Sequence, residues 1–188
     1  LINSSVCDFQ TIISADGNTI GFTSIRKMKT YGGMDLFIIK KNSDGTFSNP
    51  VNIGKPINTS GDEFSPFLSP DGRTLYFSSN GHDGMGGLDI YETKIKDGKA
   101  GRIYNMGQPV NSKDDDFGIF LGPDNKTGYI SSNRKNGGMD DDIYDFQILR
   151  EVKRGKEVKL ITKDKTSGEL LANTLIKINA DTVRTDDK

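Results

Sequence analysis

The chain has 188 residues, and only 33% of them are hydrophobic, which argues against one large core and for many thin, repeated ones. Its 25 basic and 26 acidic side chains leave a formal net charge of −1, without the basic excess of a groove that tracks phosphates, so neither nucleic acid nor an anionic membrane surface is an expected partner. No apolar run approaches the roughly 18 residues of a membrane helix, so no membrane-spanning segment is expected, and the single cysteine, Cys7, excludes an internal disulfide and reads as a small core residue.

In chain order, one cassette occurs three times. Asp8-Phe9, Glu63-Phe64 and Asp116-Phe117 open the units. A turn follows at Asp16-Gly17, Asp71-Gly72 and Asp124-Asn125, and then an apolar residue at Phe22, Phe77 and Ile130. Hydroxyl pairs come next (Thr23-Ser24, Ser78-Ser79, Ser131-Ser132), then glycine pairs (Gly32-Gly33, Gly86-Gly87, Gly137-Gly138). An acid, an aliphatic and an aromatic complete the pattern in Asp35-Leu36-Phe37, Asp89-Ile90-Tyr91 and Asp142-Ile143-Tyr144. The first two units end in Pro56-Ile57-Asn58 and Pro109-Val110-Asn111. The period is 55 and then 53 residues, counted between Asp16, Asp71 and Asp124.

Each unit reads as four short antiparallel strands. In the second these are Ser65 to Leu68, Thr74 to Ser79, Leu88 to Ile95 and an outer strand near Ile103, with the outer strand of the first near Val51. Ile90 and Tyr91 should point to opposite faces. Four strands per repeat of this length is the propeller signature. The segment from Ser69-Pro70-Asp71-Gly72 through Ser78-Ser79-Asn80, with Gly87-Leu88-Asp89-Ile90-Tyr91, closely resembles the TolB-type, WD40-like propeller repeat, and the resemblance covers roughly residues 2 to 149. Three blades do not close a ring, and Leu1-Ile2-Asn3 matches the end of a unit. At least one further blade is therefore expected before Leu1, with an N-terminal strand completing the third.

After Leu149, residues 150–156 read as a charged linker. Residues 157–188 read as the start of a second β domain, with Val158 to Thr162, a turn at Thr166-Ser167-Gly168-Glu169, Leu171-Ala172-Asn173 and Leu175 to Ile178, whose alternation argues for two strands of an antiparallel sandwich. This stretch resembles a truncated carboxypeptidase-regulatory-like sandwich. The expected fold class is all-β: a partial β-propeller of three four-stranded blades plus the beginning of a β-sandwich. The order of propeller then sandwich resembles OmpA-type peptidoglycan-associated lipoproteins of bacteria with type IX secretion. That resemblance implies a periplasmic, outer-membrane-associated scaffold whose partners are envelope or outer-membrane proteins. Peptidoglycan would be bound by a domain outside this chain.

No catalytic constellation is predicted. His82, the only histidine, lies in Asn80-Gly81-His82-Asp83-Gly84 and reads as a solvated loop residue, and no Gly-x-Ser-x-Gly elbow occurs. One His and one Cys exclude a histidine-rich zinc site. The acidic runs Asp114-Asp115-Asp116 and Asp140-Asp141-Asp142 leave calcium open, although they form no Asp-x-Asp-x-Asp-Gly loop. Asp16, Asp71 and Asp124 at the turns, and Asp35, Asp89 and Asp142 after the glycine pairs, read as structural repeat positions. The latter three could accept N–H bonds from the loop before them. The glycine loops lack Gly-Lys-Ser/Thr and precede strands, so they are not phosphate loops; a flexible connection and a contact surface both fit. Candidate binding residues on these loops are Arg26, Lys27, Met34, His82, Met85, Arg134, Lys135 and Met139, with solvated charges and buried methionines the competing readings. No cofactor is expected. A propeller lid of a peptidase or glycan hydrolase and a calcium-dependent glycan-binding module remain the alternatives to a scaffold.

Overall fold

The computed structural model describes residues 4–96, 98–135, 140–149, 161–178 and 181–184. Every regular element among them is a strand. The chain divides into two compact units, Leu1–Leu149 and Arg150–Lys188.

The first unit holds three antiparallel sheets. Blade one contains β1 (Asp8–Ile13), β2 (Thr19–Ser24), β3 (Asp35–Lys40) and β4 (Val51–Asn52), in that order. Blade two repeats the plan with β5 (Glu63–Leu68), β6 (Thr74–Ser79), β7 (Asp89–Lys96) and β8 (Lys99–Asn105). Blade three has β9 (Asp116–Leu121), β10 (Thr127–Ser132) and β11 (Asp142–Gln147). It therefore has three strands among the described residues, not the expected four. Neither a second Asp-Gly turn nor a Pro-aliphatic-Asn tail follows β11 to reverse the chain.

The Asp-Gly turns work as anticipated from their chemistry. Gly17, Gly72 and Asn125 have φ of 68°, 69° and 53°, in the left-handed region that Gly and Asn tolerate. A feature invisible in the sequence is a bulge in each first strand, where the pairing with the second strand slips. Its centre is Gln10, Ser65 or Gly118, at φ of 45°, 46° and 63°. The Gln10 side chain accepts the Ser65 N–H at 2.8 Å and so ties two neighbouring bulges together.

Alternation along the strands builds the cores between blades. Tyr76 and Ile90 pack toward blade three with Ile119, Leu121 and Ile130. Phe77 and Tyr91 pack toward blade one with Leu36, Ile57 and Leu75. Successive residues thus serve opposite sheet faces, and all six residues of β6 are buried because both its faces are covered. β1 abuts β5 and β5 abuts β9, the side-by-side placement of blades about an axis.

Cys7 is exposed, not a core residue. It occupies the repeat position of Asp62 and Asp115, whose side chains reach back to the loop of the preceding blade rather than into a sheet interface.

In the second unit, Asp164 accepts the N–H groups of Thr166 and Ser167, and Gly168 at φ 74° completes the turn under a Lys163–Leu170 bridge. Leu171–Asn173 is not a strand; instead β12 (Leu175–Ile178) pairs with β13 (Asp181–Arg184), a strand the sequence reading did not anticipate. The linker and residues 157–160 lie outside the described residues.

Candidate binding rim

The candidate surface is the rim formed by the glycine loops, and it is built by a polar network repeated from blade to blade. Asp35 accepts the N–H groups of Tyr31 (2.8 Å) and Gly32 (3.3 Å), as well as the Asn52 amide (2.8 Å). Asp89 accepts the N–H groups of Met85 and Gly86 in the same way. Residues 136–139 of the loop before Asp142, including the candidate Met139, lie outside the described residues. Asp16, Asp71 and Asp124 are used one strand away, inside their own turns, by Ser14 and Asn18, by Ser69 and Arg73, and by Lys126 and Thr127.

The rim is stitched within each blade by an asparagine and across the blade boundary by an aspartate. Asn58 accepts the Leu36 N–H (3.0 Å) and donates to the Leu36 carbonyl (2.9 Å), and Asn111 brackets Ile90 identically at 2.9 and 2.9 Å. Asp62 accepts the Met34 N–H and Asp115 the Leu88 N–H. These contacts explain the glycine pairs. A Cβ on Gly32 would stand 1.8 Å from the Gly61 carbonyl oxygen, and one on Gly86 would stand 2.1 Å from that of Asp114. The loops of blades one and two are pressed against the next blade and are not loose connections. The calcium reading weakens in the same stroke, because Asp115 and Asp116 already hold N–H groups, an amide and a guanidinium.

Several candidate residues prove to be struts. Arg26 is only 6% exposed. It pairs with Asp8 at 2.6 Å and lies over the Phe22 and Phe37 rings. Arg134 pairs with Asp116 at 2.5 Å, donates to the Pro109 and Val110 carbonyls, and covers Tyr144. Neither guanidinium is a free loop charge, because each is spent on the acid that opens its own blade. His82 is half-buried rather than solvated. With the proton on Nε2 it donates to the Ile57 carbonyl at 2.9 Å, and its ring packs on Phe77 and Tyr91. The Tyr91 hydroxyl donates to the His82 and Asp83 carbonyls, and burial pushes its pKa up to about 12, so it stays a donor.

Few of these loop side chains face outward. Lys27, Met28, Lys29 and Tyr31 are exposed on the blade-one loop, Met85 on the blade-two loop, and Lys135 on blade three. Met34 is half-buried. Met28, Lys29 and Tyr31 face Pro50 and Val51 across a groove of about 510 Å³ at the outer edge of blade one. Met28, Tyr31 and Val51 were outside the predicted set; the signal for Met28 and Tyr31 was an apolar side chain placed near lysines on a loop already marked by glycine, whereas Val51, in β4, carried none.

The opening acids differ electrostatically. Burial opposes ionisation of Asp8, yet Arg26, Ser24 and Ser4 hold its pKa down at about 2. Among the described residues Glu63 meets no guanidinium; Thr59 and Ser79 donate to it, and its burial pushes its pKa above the ordinary value.

No profile of a known protein family matches the chain, and no curated protein matches it in sequence. Solved structures do. One is a putative TolB from Agrobacterium tumefaciens, at 17% identity and a TM-score of 0.52, covering 78% of this chain and 53% of that one. The fold is a TolB-type β-propeller arc. The chain spans about half the length of that structure. A prolyl endopeptidase (18% identity, TM-score 0.43, 77% of this chain and 21% of that one) and a putative 6-phosphogluconolactonase from Bacteroides uniformis (10%, 0.37, 98% and 43%) also match. At those scores they bear on neither the chemistry nor the partners of this chain.

Proposed function

We propose that this chain is a non-catalytic propeller scaffold of a periplasmic, outer-membrane-associated protein of the OmpA-type peptidoglycan-associated class, and that it holds an envelope protein against its glycine-loop rim. Residues 1–149 form the propeller part, 150–156 the linker, and 157–188 the start of a carboxypeptidase-regulatory-like sandwich. Peptidoglycan is bound by a domain outside the chain, and the protein is part of secretion machinery. The observation that carries the reading is the use made of the repeated acids: they fasten loop backbone, so the rim is rigid and presents Lys27, Met28, Lys29 and Tyr31 as surface. A pre-organised rim with exposed methionine and tyrosine beside lysines suits a protein partner, because little ordering entropy is lost on docking.

The test is affinity capture from a bacterial envelope extract with the full chain as bait. Recovery of an outer-membrane or secretion-machinery protein, lost in a Met28→Asp/Tyr31→Asp bait, is the expected result. Recovery of none, or recovery indifferent to those changes, overturns the proposal.

A further inference from the structure

One position breaks the blade repeat at its centre. On the face that each blade turns to the next, three residues pair across the first three strands. In blade two they are Phe67, Tyr76 and Glu92, and in blade three Phe120, Tyr129 and Asp145. In blade one they are Ile12, Gly21 and Ile38. The Tyr76 ring packs against Phe67 at 6.2 Å between centroids and helps fill the space between blades two and three. Between blades one and two no ring stands in that place, and a cavity of about 450 Å³ is left, lined by Ile12, Gly21, Ile53, Leu68 and Leu75.

Gly21 is not demanded by the backbone, since its φ lies outside the left-handed region. Crowding demands it only weakly: an added Cβ would meet Cγ1 and Cδ1 of the Ile12 side chain at 3.0 and 3.3 Å, which a few tenths of an ångström of movement by Ile12 relieves, and the Phe37 carbonyl oxygen at an ordinary 3.9 Å. A glycine inside a strand lowers stability without such a reason, and a close-packed interior rarely keeps a void of this size. The remaining reason is occupancy. The volume falls in the range of ligand pockets, its walls are aliphatic, and the chain's own repeat shows which group belongs there. The mouth opens between the turns at Ala15-Asp16 and Asp71-Gly72, with Ser14 and Lys40 beside it.

We propose that this cavity receives an aromatic side chain of a protein partner, which takes the place that Tyr76 occupies one blade later. The proposal rests on the scaffold reading above and adds to it a second contact, on the rim of Asp-Gly turns instead of the rim of glycine loops.

The experiment is an amide-shift NMR titration of the full chain with N-acetyl-tyrosinamide, with N-acetyl-leucinamide as the control. Saturable shifts at Ala15, Gly21, Gly72 and Gly98 are expected, with a dissociation constant on the order of 1–10 mM for so small a probe. Binding of the leucine probe should be several-fold weaker. The Gly21→Tyr/Ile12→Phe variant restores the blade-two pair and should weaken tyrosinamide binding more than tenfold; Ile12→Phe alone, a smaller change, should weaken it about threefold. Absence of saturable shifts at those amides overturns the proposal. So does equal affinity for the leucine probe, or undiminished binding by a folded filled variant. Failure here with envelope capture intact would remove the pocket alone, whereas pocket binding without capture would remove the scaffold reading.

Discussion

Blades one and three treat their opening acid differently from blade two. In the outer pair, Asp8 and Asp116 face arginines that stand two residues after the hydroxyl pair, Arg26 and Arg134. In blade two the same position is Gly81, and the acid is a longer glutamate that reaches the Thr59 and Ser79 hydroxyls. The exchange is enforced by space. A Cβ on Gly81 would stand 1.8 Å from the Thr59 hydroxyl, so no arginine fits there. One fold position thus has two solutions, a buried ion pair or a buried hydrogen-bonded carboxylate, and they carry opposite electrostatic costs.

That contrast can be broken from either side, and the largest effect should come from the ion pairs. Arg26→Ala leaves Asp8 without its guanidinium and uncovers two rings, and should cost about 3–5 kcal/mol in urea unfolding at neutral pH. Glu63→Ala should cost less, about 1–3 kcal/mol, because it removes hydrogen bonds and no charge partner.

The stitches common to both blade types come next. Asn58→Ala and Asn111→Ala each strand the N–H of one buried strand residue, whose carbonyl keeps the N–H of Ile53 or Met106, and should cost about 1–3 kcal/mol, with m-values unchanged. A difference of more than about 1 kcal/mol between them would show that the two stitches are not equivalent.

The pH response should separate the blades. The Asp8 pKa is lowered, so its share of stability is complete above the unfolded value of 3.8 and is lost as pH falls toward about 2. That share is about 1–2 kcal/mol after solvent screening, and Arg26→Met should flatten this limb of the stability curve. Glu63 has the opposite sign. Its pKa is raised, so the stabilising protonated form is lost as pH rises through the folded value, above the ordinary 4.5. Glu63→Gln should therefore be the mildest change, between neutral and about 1 kcal/mol stabilising at pH 7, and it should erase that dependence in thermal melts.

Much of this arrangement could be read in the order of residues. The turns, the positions of β2, β6 and β10, and the opposite-facing Ile90 and Tyr91 follow from alternation and from Asp-Gly chemistry, which act over a few residues. The fate of the charged loop residues could not be read this way. Arg26 and Arg134 look like Lys27 and Lys135 in a loop, and only the position of an acid on the neighbouring strand separates strut from surface. Gly21 was legible in principle, as the one glycine where the other units carry tyrosine, yet its meaning depends on what the next blade leaves unfilled.

The amino-acid sequence by itself determined the cassette, its period and its local turns, because strand alternation and left-handed turn residues are properties of short segments. Only the tertiary structure decided which acids hold which loops, why the first two glycine pairs tolerate no Cβ, and where a cavity opens. Those depend on distances between chain segments roughly thirty to sixty residues apart, which no local pattern contains.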